Sequence, residues 1–156
     1  MKLEDAIKQK KFESPLHKAT INLIYTANWL HGEFRDLFKS FDITHQQYNV
    51  LRILRGMHPN CVNPTEIKEV MLDKNPDITR LCDRLLLMGL IHRNIDKENR
   101  RKMKIVITEK GLDLLLEIEP VIKLRMEQLF ADVKVDFEKF NDMLDAMRDR
   151  KSTRLN

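Results

Sequence analysis

The chain has 156 residues, 42% hydrophobic and 33% charged, with four glycines, two cysteines and a formal net charge of +4. That length and balance fit one domain with a sizeable core and exclude a chain disordered over most of its length. No run approaches the roughly 20 apolar residues of a membrane span, and the charged N-terminus MKLEDAIKQKKFE lacks the apolar stretch of a secretory signal, so no membrane partner is expected and a reducing cytoplasm suits the two cysteines.

In chain order, Ser14-Pro15 opens a first helix that can run to about Lys39. Leu16, Thr20, Leu23, Ala27, Leu30, Phe34, Leu37 and Phe41 alternate spacings of four and three, which is an a/d seam. Ile21, Ile24, Trp29 and Phe38 lie off that seam, so the helix is expected to pack on a second subunit as well as on its own core. Thr44-His45-Gln46-Gln47 forms a capping box for a second helix carrying Tyr48, Val50, Leu51, Ile53 and Leu54 and ending near Gly56. Asn63-Pro64-Thr65-Glu66 repeats that logic for a short third helix with Ile67, Val70, Met71 and Leu72.

A fourth helix follows after a short turn, with Asn75-Pro76 as the expected cap and Gly89 as its stop. Ile78, Leu81, Cys82, Leu85 and Leu86 make one apolar stripe, and Thr79, Arg80, Asp83 and Arg84 fall off it. Helix, tight turn and helix are thus legible from caps and spacing. The period then becomes two: Ile91, Arg93 and Ile95, then Met103, Ile105 and Ile107, mark two half-buried strands. Between His92 and Lys110 stand seven Lys or Arg against three acids, a local surplus equal to that of the entire chain and a fitting electrostatic footprint for nucleic acid. Thr108 can cap a long helix, in which Pro120 should bend the axis or break the hydrogen-bond ladder. A last helix is expected around Val135 to Arg148, with Phe137, Phe140, Leu144 and Met147 on one face, followed by a mobile tail, KSTRLN.

The stretches DITRLCDRLLLMGLIHR and DKENRRKMKIVITEKG resemble the MarR family, the winged helix-turn-helix regulators of bacteria and archaea. Gly89-Leu90-Ile91 with Arg93, and Thr108 with Gly111, stand at the family's spacing. The resemblance implies a mainly α fold with a small two- to three-stranded β wing, in which one domain spans residues 1–156. Helices at about 14–40 and 108–150 would form a homodimer, and about 44–107 would form the DNA-binding lobe. It further implies a regulator, most often a repressor, of a pseudo-palindromic double-stranded DNA operator. In many relatives a small aromatic or phenolic effector releases the DNA, and in some cysteine oxidation does so.

An α-helix can enter the major groove and read base edges, while a wing lies over the backbone. On that basis Thr79 and Arg80 are the candidate base readers, Arg80 through a bidentate bond to guanine, and Asn75, Asp77 and Arg84 complete the recognition helix set. Family position sends Arg101 to the minor groove with Arg100 and Lys102 on phosphates, and Thr65 is a further candidate phosphate contact. Arg84 beside Asp83 has a competing structural role as an ion pair. Two residues depart from the family pattern. Asn99 replaces the wing's usual acid, and Asp77 would repel phosphates unless it reads a cytosine amino group or accepts backbone N–H groups of the first helical turn. These departures are what support a second reading, a winged-helix interaction or dimerisation module without DNA binding.

Asn28, Trp29, His31 and Tyr48 are the candidate effector residues by resemblance, with core packing the alternative for Trp29 and Tyr48. Cys82 on the apolar stripe reads as a small buried hydrophobe, and Cys61 lies in a loop without a neighbouring cationic cluster. His17, His31, His45, His58 and His92 are scattered without metal-ligand spacing. No Gly-rich phosphate loop, nucleophile elbow or paired catalytic carboxylates are present, so neither a cofactor nor an enzymatic activity is expected.

Overall fold

The structure is a computed structural model in which residues 1–95 and 103–149 are described. Its elements run α1 (Leu3–Ala6), α2 (Pro15–Lys39), α3 (His45–Met57), α4 (Pro64–Val70), α5 (Ile78–Leu87), β1 (Ile91–Ile95), β2 (Met103–Ile107), α6 (Glu109–Phe130) and α7 (Phe137–Arg148). The chain divides into two compact units, residues 1–122 and 123–156. Among the described residues no helix is long and apolar enough to cross a membrane.

The expected caps form. The Ser14 hydroxyl accepts the His17 N–H at 3.1 Å with Pro15 at the first helical position. Thr44 and Gln47 close a reciprocal box at 3.2 and 2.8 Å, and Asn63 and Glu66 do the same at 3.0 and 2.7 Å. Each box satisfies donors that a helix start otherwise leaves bare. The third helix stops at Val70, so Met71 and Leu72 lie beyond it, and the last helix starts at Phe137 on an Asp136 cap. Helix α6 continues unbroken through Pro120. The short α1 has no counterpart in the sequence reading; Leu3 is buried and Glu4 pairs with Lys18 of α2.

The two strands pair antiparallel with Ile91 opposite Ile107 and Arg93 opposite Ile105. Of the two to three strands expected, two form, and Val62 adds one bridge to Ile105 through N–H···O bonds of 2.9 and 2.7 Å. The core of the first unit is built by Phe38 of α2, Val50, Leu51 and Leu54 of α3, Ile67 of α4, Leu85 of α5, Ile91 and Ile105 of the sheet, and Leu115 and Ile118 of α6. Arg55 and Glu119 add a 2.5 Å ion pair between α3 and α6. The second unit has no buried residue in α7, and Phe130 meets Phe137 edge-on at 5.8 Å.

Candidate nucleic-acid interface

Helix α5 turns its apolar stripe inward and leaves a polar face outside. Ile78, Leu81, Cys82 and Leu85 are buried, Leu86 at the end of the stripe is 37% exposed, and Thr79, Arg80, Asp83 and Arg84 are exposed. Its cap is not the expected Asn75-Pro76. Asp77 takes that place and its carboxylate accepts the Arg80 N–H at 3.1 Å, while Pro76 is buried just before it. An acid at a helix N-terminus is stabilised by the bare N–H groups and the positive end of the helix dipole. The negative charge that looked out of place beside phosphates is therefore held by the helix itself. Asn75 is exposed, its N–H donating to the Asp73 carboxylate at 3.2 Å, and Thr65 is exposed in the first turn of α4.

The expected Arg84–Asp83 ion pair does not form. Neighbours in sequence point in different directions on a helix, so Asp83 instead receives Arg93 of β1 at 2.6 Å. That bond ties α5 to β1, and Arg84 has no acid partner among the described residues. The far end of α5 is clamped as well. Gly89 adopts a left-handed φ of +71°, the usual way to end a helix, and its carbonyl accepts the Thr108 hydroxyl at 2.9 Å. Thr108 also accepts the Gly111 N–H at 3.1 Å, and the Lys110 ammonium donates to the Met88 carbonyl at 2.8 Å, where the helix dipole favours a cation. Gly111 is needed for close approach: a Cβ there would collide with the Leu90 carbonyl oxygen and lie 2.7 Å from Ile107 Cγ1. Helix α5, strand β1 and the start of α6 are thus locked into one frame.

Arg100, Arg101 and Lys102, together with Asn99 and the tail KSTRLN, lie outside the described residues.

A cavity of about 1070 Å³ opens between α2, the start of α3 and α5. Of the candidate effector residues, Asn28 and His31 line it, whereas Trp29 and Tyr48 do not. Tyr48 is buried with its ring 4.9 Å from Phe38, and Trp29 is 40% exposed elsewhere on α2. Sequence reasoning missed Arg35 and Lys39, which follow His31 at helical spacing and face the cavity together with Arg80 and Arg84 of the recognition helix. The i, i+4 spacing of His31, Arg35 and Lys39 was the available signal. Burial pushes the Cys82 thiol up to about 11, so it carries almost no thiolate near neutrality, as expected of a core residue. Cys61 is exposed. Among the described residues no cluster of His, Cys, Asp or Glu could hold a metal ion.

The MarR family profile matches residues 43–103. A crystal structure of a MarR transcription factor from Planctomyces limnophilus is 30% identical, with a TM-score of 0.69, and the match covers 88% of this chain and 98% of that one. The chain belongs to the MarR family. As a member it is a winged helix-turn-helix transcriptional regulator. The HTH-type transcriptional regulator PapX of Escherichia coli is 29% identical over 101 residues, 65% of this chain but 62% of PapX, less than two thirds of that relative. A cysteine-to-serine mutant of MarR from E. coli, solved with operator DNA, shares the fold at a TM-score of 0.69 and 22% identity, covering 94% of this chain and 99% of that one.

Proposed function

We propose that this MarR-family chain works as a homodimeric repressor that binds a pseudo-palindromic operator and releases it when a small aromatic or phenolic effector enters the cavity beside α5. The observation that carries the DNA reading is the outer face of α5. Thr79, Arg80 and Arg84 stand exposed there, while the two acids on the same helix are taken up, Asp77 by the helix N-terminus and Asp83 by Arg93. What α5 presents is therefore a cationic face with hydrogen-bond donors, the chemistry that major-groove guanines and phosphates accept. Arg100, Arg101 and Lys102 are assigned to the wing contact, Arg101 in the minor groove, with Thr65 and Asn75 on the backbone.

Dimerisation is supported by apolar surface that a lone chain leaves in water. Leu16, Leu23 and Ile24 of α2 and Phe137, Phe140, Met143 and Met147 of α7 are all more than 40% exposed. A second copy covering these helices would set the separation of two recognition helices, and hence the half-site spacing. The effector reading is supported by Asn28 and His31 on the cavity wall opposite Arg80 and Arg84. Occupancy could act only through unequal affinity for the DNA-competent and incompetent placements of α5. Such a protein acts in the cytoplasm by binding and not by catalysis.

Selection of binding sites from random duplexes, followed by sequencing, tests this. Enrichment of an inverted repeat is expected; enrichment of nothing would favour an interaction module that does not bind DNA. On the selected site, Arg101→Ala should weaken binding by about 1–3 kcal/mol while leaving the dimer folded, and unchanged affinity in an anisotropy titration would remove the wing from the mechanism.

A further inference from the structure

The turn that leads into the recognition helix is held by a polar clasp beside the effector cavity, whose wall Gln46, His31 and His45 also line. Asp73 lies four residues before the Asp77 cap. One of its carboxylate oxygens accepts the Asn75 N–H at 3.2 Å and the other accepts the Gln46 side-chain amide of α3. One turn further along α3, Asn49 accepts the Leu72 N–H at 2.9 Å. Two histidines sit against this clasp. His31 of α2 and His45, the first residue of α3, face each other with ring centroids 5.5 Å apart, and His45 also lies 5.4 Å from the Phe38 ring. His31, His45 and Asp73 share the wall of a second cavity of about 640 Å³, and the charges of both imidazoles reach Asp73.

We infer that Asp73, His31 and His45 form a proton-operated clasp that positions the recognition helix, so that operator affinity falls as the two facing imidazoles become charged. The inference rests on the reading of α5 as the DNA-contacting element. With neutral rings, Asp73 keeps both oxygens on Gln46 and Asn75, and the turn is fixed to α3. When both rings carry protons, two cations face each other across the α2–α3 contact, and each draws the Asp73 carboxylate away from the Asn75 N–H. Both effects loosen the turn that places α5 relative to α2. Partial desolvation and the charge of His31 hold the His45 pKa below its ordinary 6.5, against the opposing pull of Asp73. His45 therefore gains its proton on the acid side of that value.

The surroundings add cations more than they neutralise them. Arg35 and Lys39 of α2 and Arg80 and Arg84 of α5 line the first cavity, whose wall His31 and His45 also share, and Lys74 lines the second. Of the acids on these walls, Asp77 is held by its helix N-terminus and Asp83 by Arg93, which leaves Asp73 and Asp42. A second imidazolium thus enters a region already rich in positive charge.

The test is operator binding between pH 7.5 and 5.5 for the wild-type chain and for His31→Gln, His45→Gln and Asp73→Asn, with circular dichroism melts confirming that each is folded at both ends of the range. On acidification the wild type should lose about fivefold more affinity than either histidine variant. Asp73→Asn should bind more weakly at pH 7.5 and show a flattened pH response. Calorimetry at pH 6 in two buffers of different ionisation enthalpy reads the same linkage directly. The wild type should release protons on binding DNA, and His45→Gln should release fewer. Equal pH responses and equal proton release in the wild type and both histidine variants would overturn the clasp while leaving DNA binding intact. Absence of operator binding by the wild type at every pH would overturn the DNA reading and the clasp with it.

Discussion

The winged-helix lobe and the helices outside it meet the demand for apolar burial in different ways. Between α3 and β2 the stripes close on one another, and Val50, Leu51, Ile67, Leu85, Ile91 and Ile105 are completely shielded from water. Helix α2, with 25 residues, buries Phe38 alone, and α7 buries nothing. The lobe closes its core while leaving single apolar side chains such as Leu72 and Leu87 exposed, whereas α2 and α7 bury almost none of their apolar faces. The contrast separates two tasks under the proposed function: the lobe would hold a reading head rigid, and a second copy covering the outer helices would set where two such heads stand.

The largest effect that could break this contrast is in α7. Phe140→Asp should convert the proposed dimer to monomers in sedimentation velocity and lower operator affinity by at least ~100-fold, because two linked half-sites become independent. An unchanged mass would show that α7 does not carry the partner contact. In the lobe, Leu85→Ala removes a fully buried side chain and should cost about 2–5 kcal/mol in denaturant unfolding. A loss well below that would mean the lobe core is less complete than its burial implies. Next in size, Asp77→Ala should remove about 1 kcal/mol of stability through the lost cap, while Asp77→Asn, which can still cap, should nearly restore it. If Asp77→Asn changed operator preference and not stability, Asp77 would be a base reader after all.

The smallest effect concerns Glu119, whose carboxyl Arg55 holds below its ordinary value of 4.5 by a hydrogen bond and by charge. A carboxylate with a depressed folded-state pKa adds stability that is present above 4.5 and lost as pH falls through the folded value. The pair is about one-third exposed, so solvent screening keeps its contribution under about 1 kcal/mol. Glu119→Gln should therefore lower the melting temperature slightly at pH 7, by a margin that shrinks as the pH falls below 4.5.

Local chemistry made much of the fold readable. Ser14, Thr44, Asn63 and Thr108 each cap the helix expected of them, because a side-chain oxygen and the N–H groups two or three residues on are all the geometry a cap needs. Gly89 and Gly111 likewise stand where backbone conformation and close approach exclude a side chain. The errors came where two candidates competed over short distances. Asn75 and Asp77 are both good caps, and the buried Pro76 between them placed the helix start at the second. Asp83 has cations at Arg84 and Arg93, and strand β1 brings the more distant one within 2.6 Å.

By itself the sequence determined which segments apart from the short α1 are helices and strands, which of their faces are apolar, and that the basic surplus lies around the wing, since these depend on spacing along the chain. Only tertiary structure decided that Asp83 answers Arg93, that Asn28 and His31 share a cavity with Arg80 and Arg84 while Tyr48 packs in the core, and that His31 meets His45 beside Asp73. Each of these joins residues from separate elements, and their meeting is fixed by how helices cross once their apolar stripes have closed on one another. Spacing along a chain carries the first kind of information and is silent on the second.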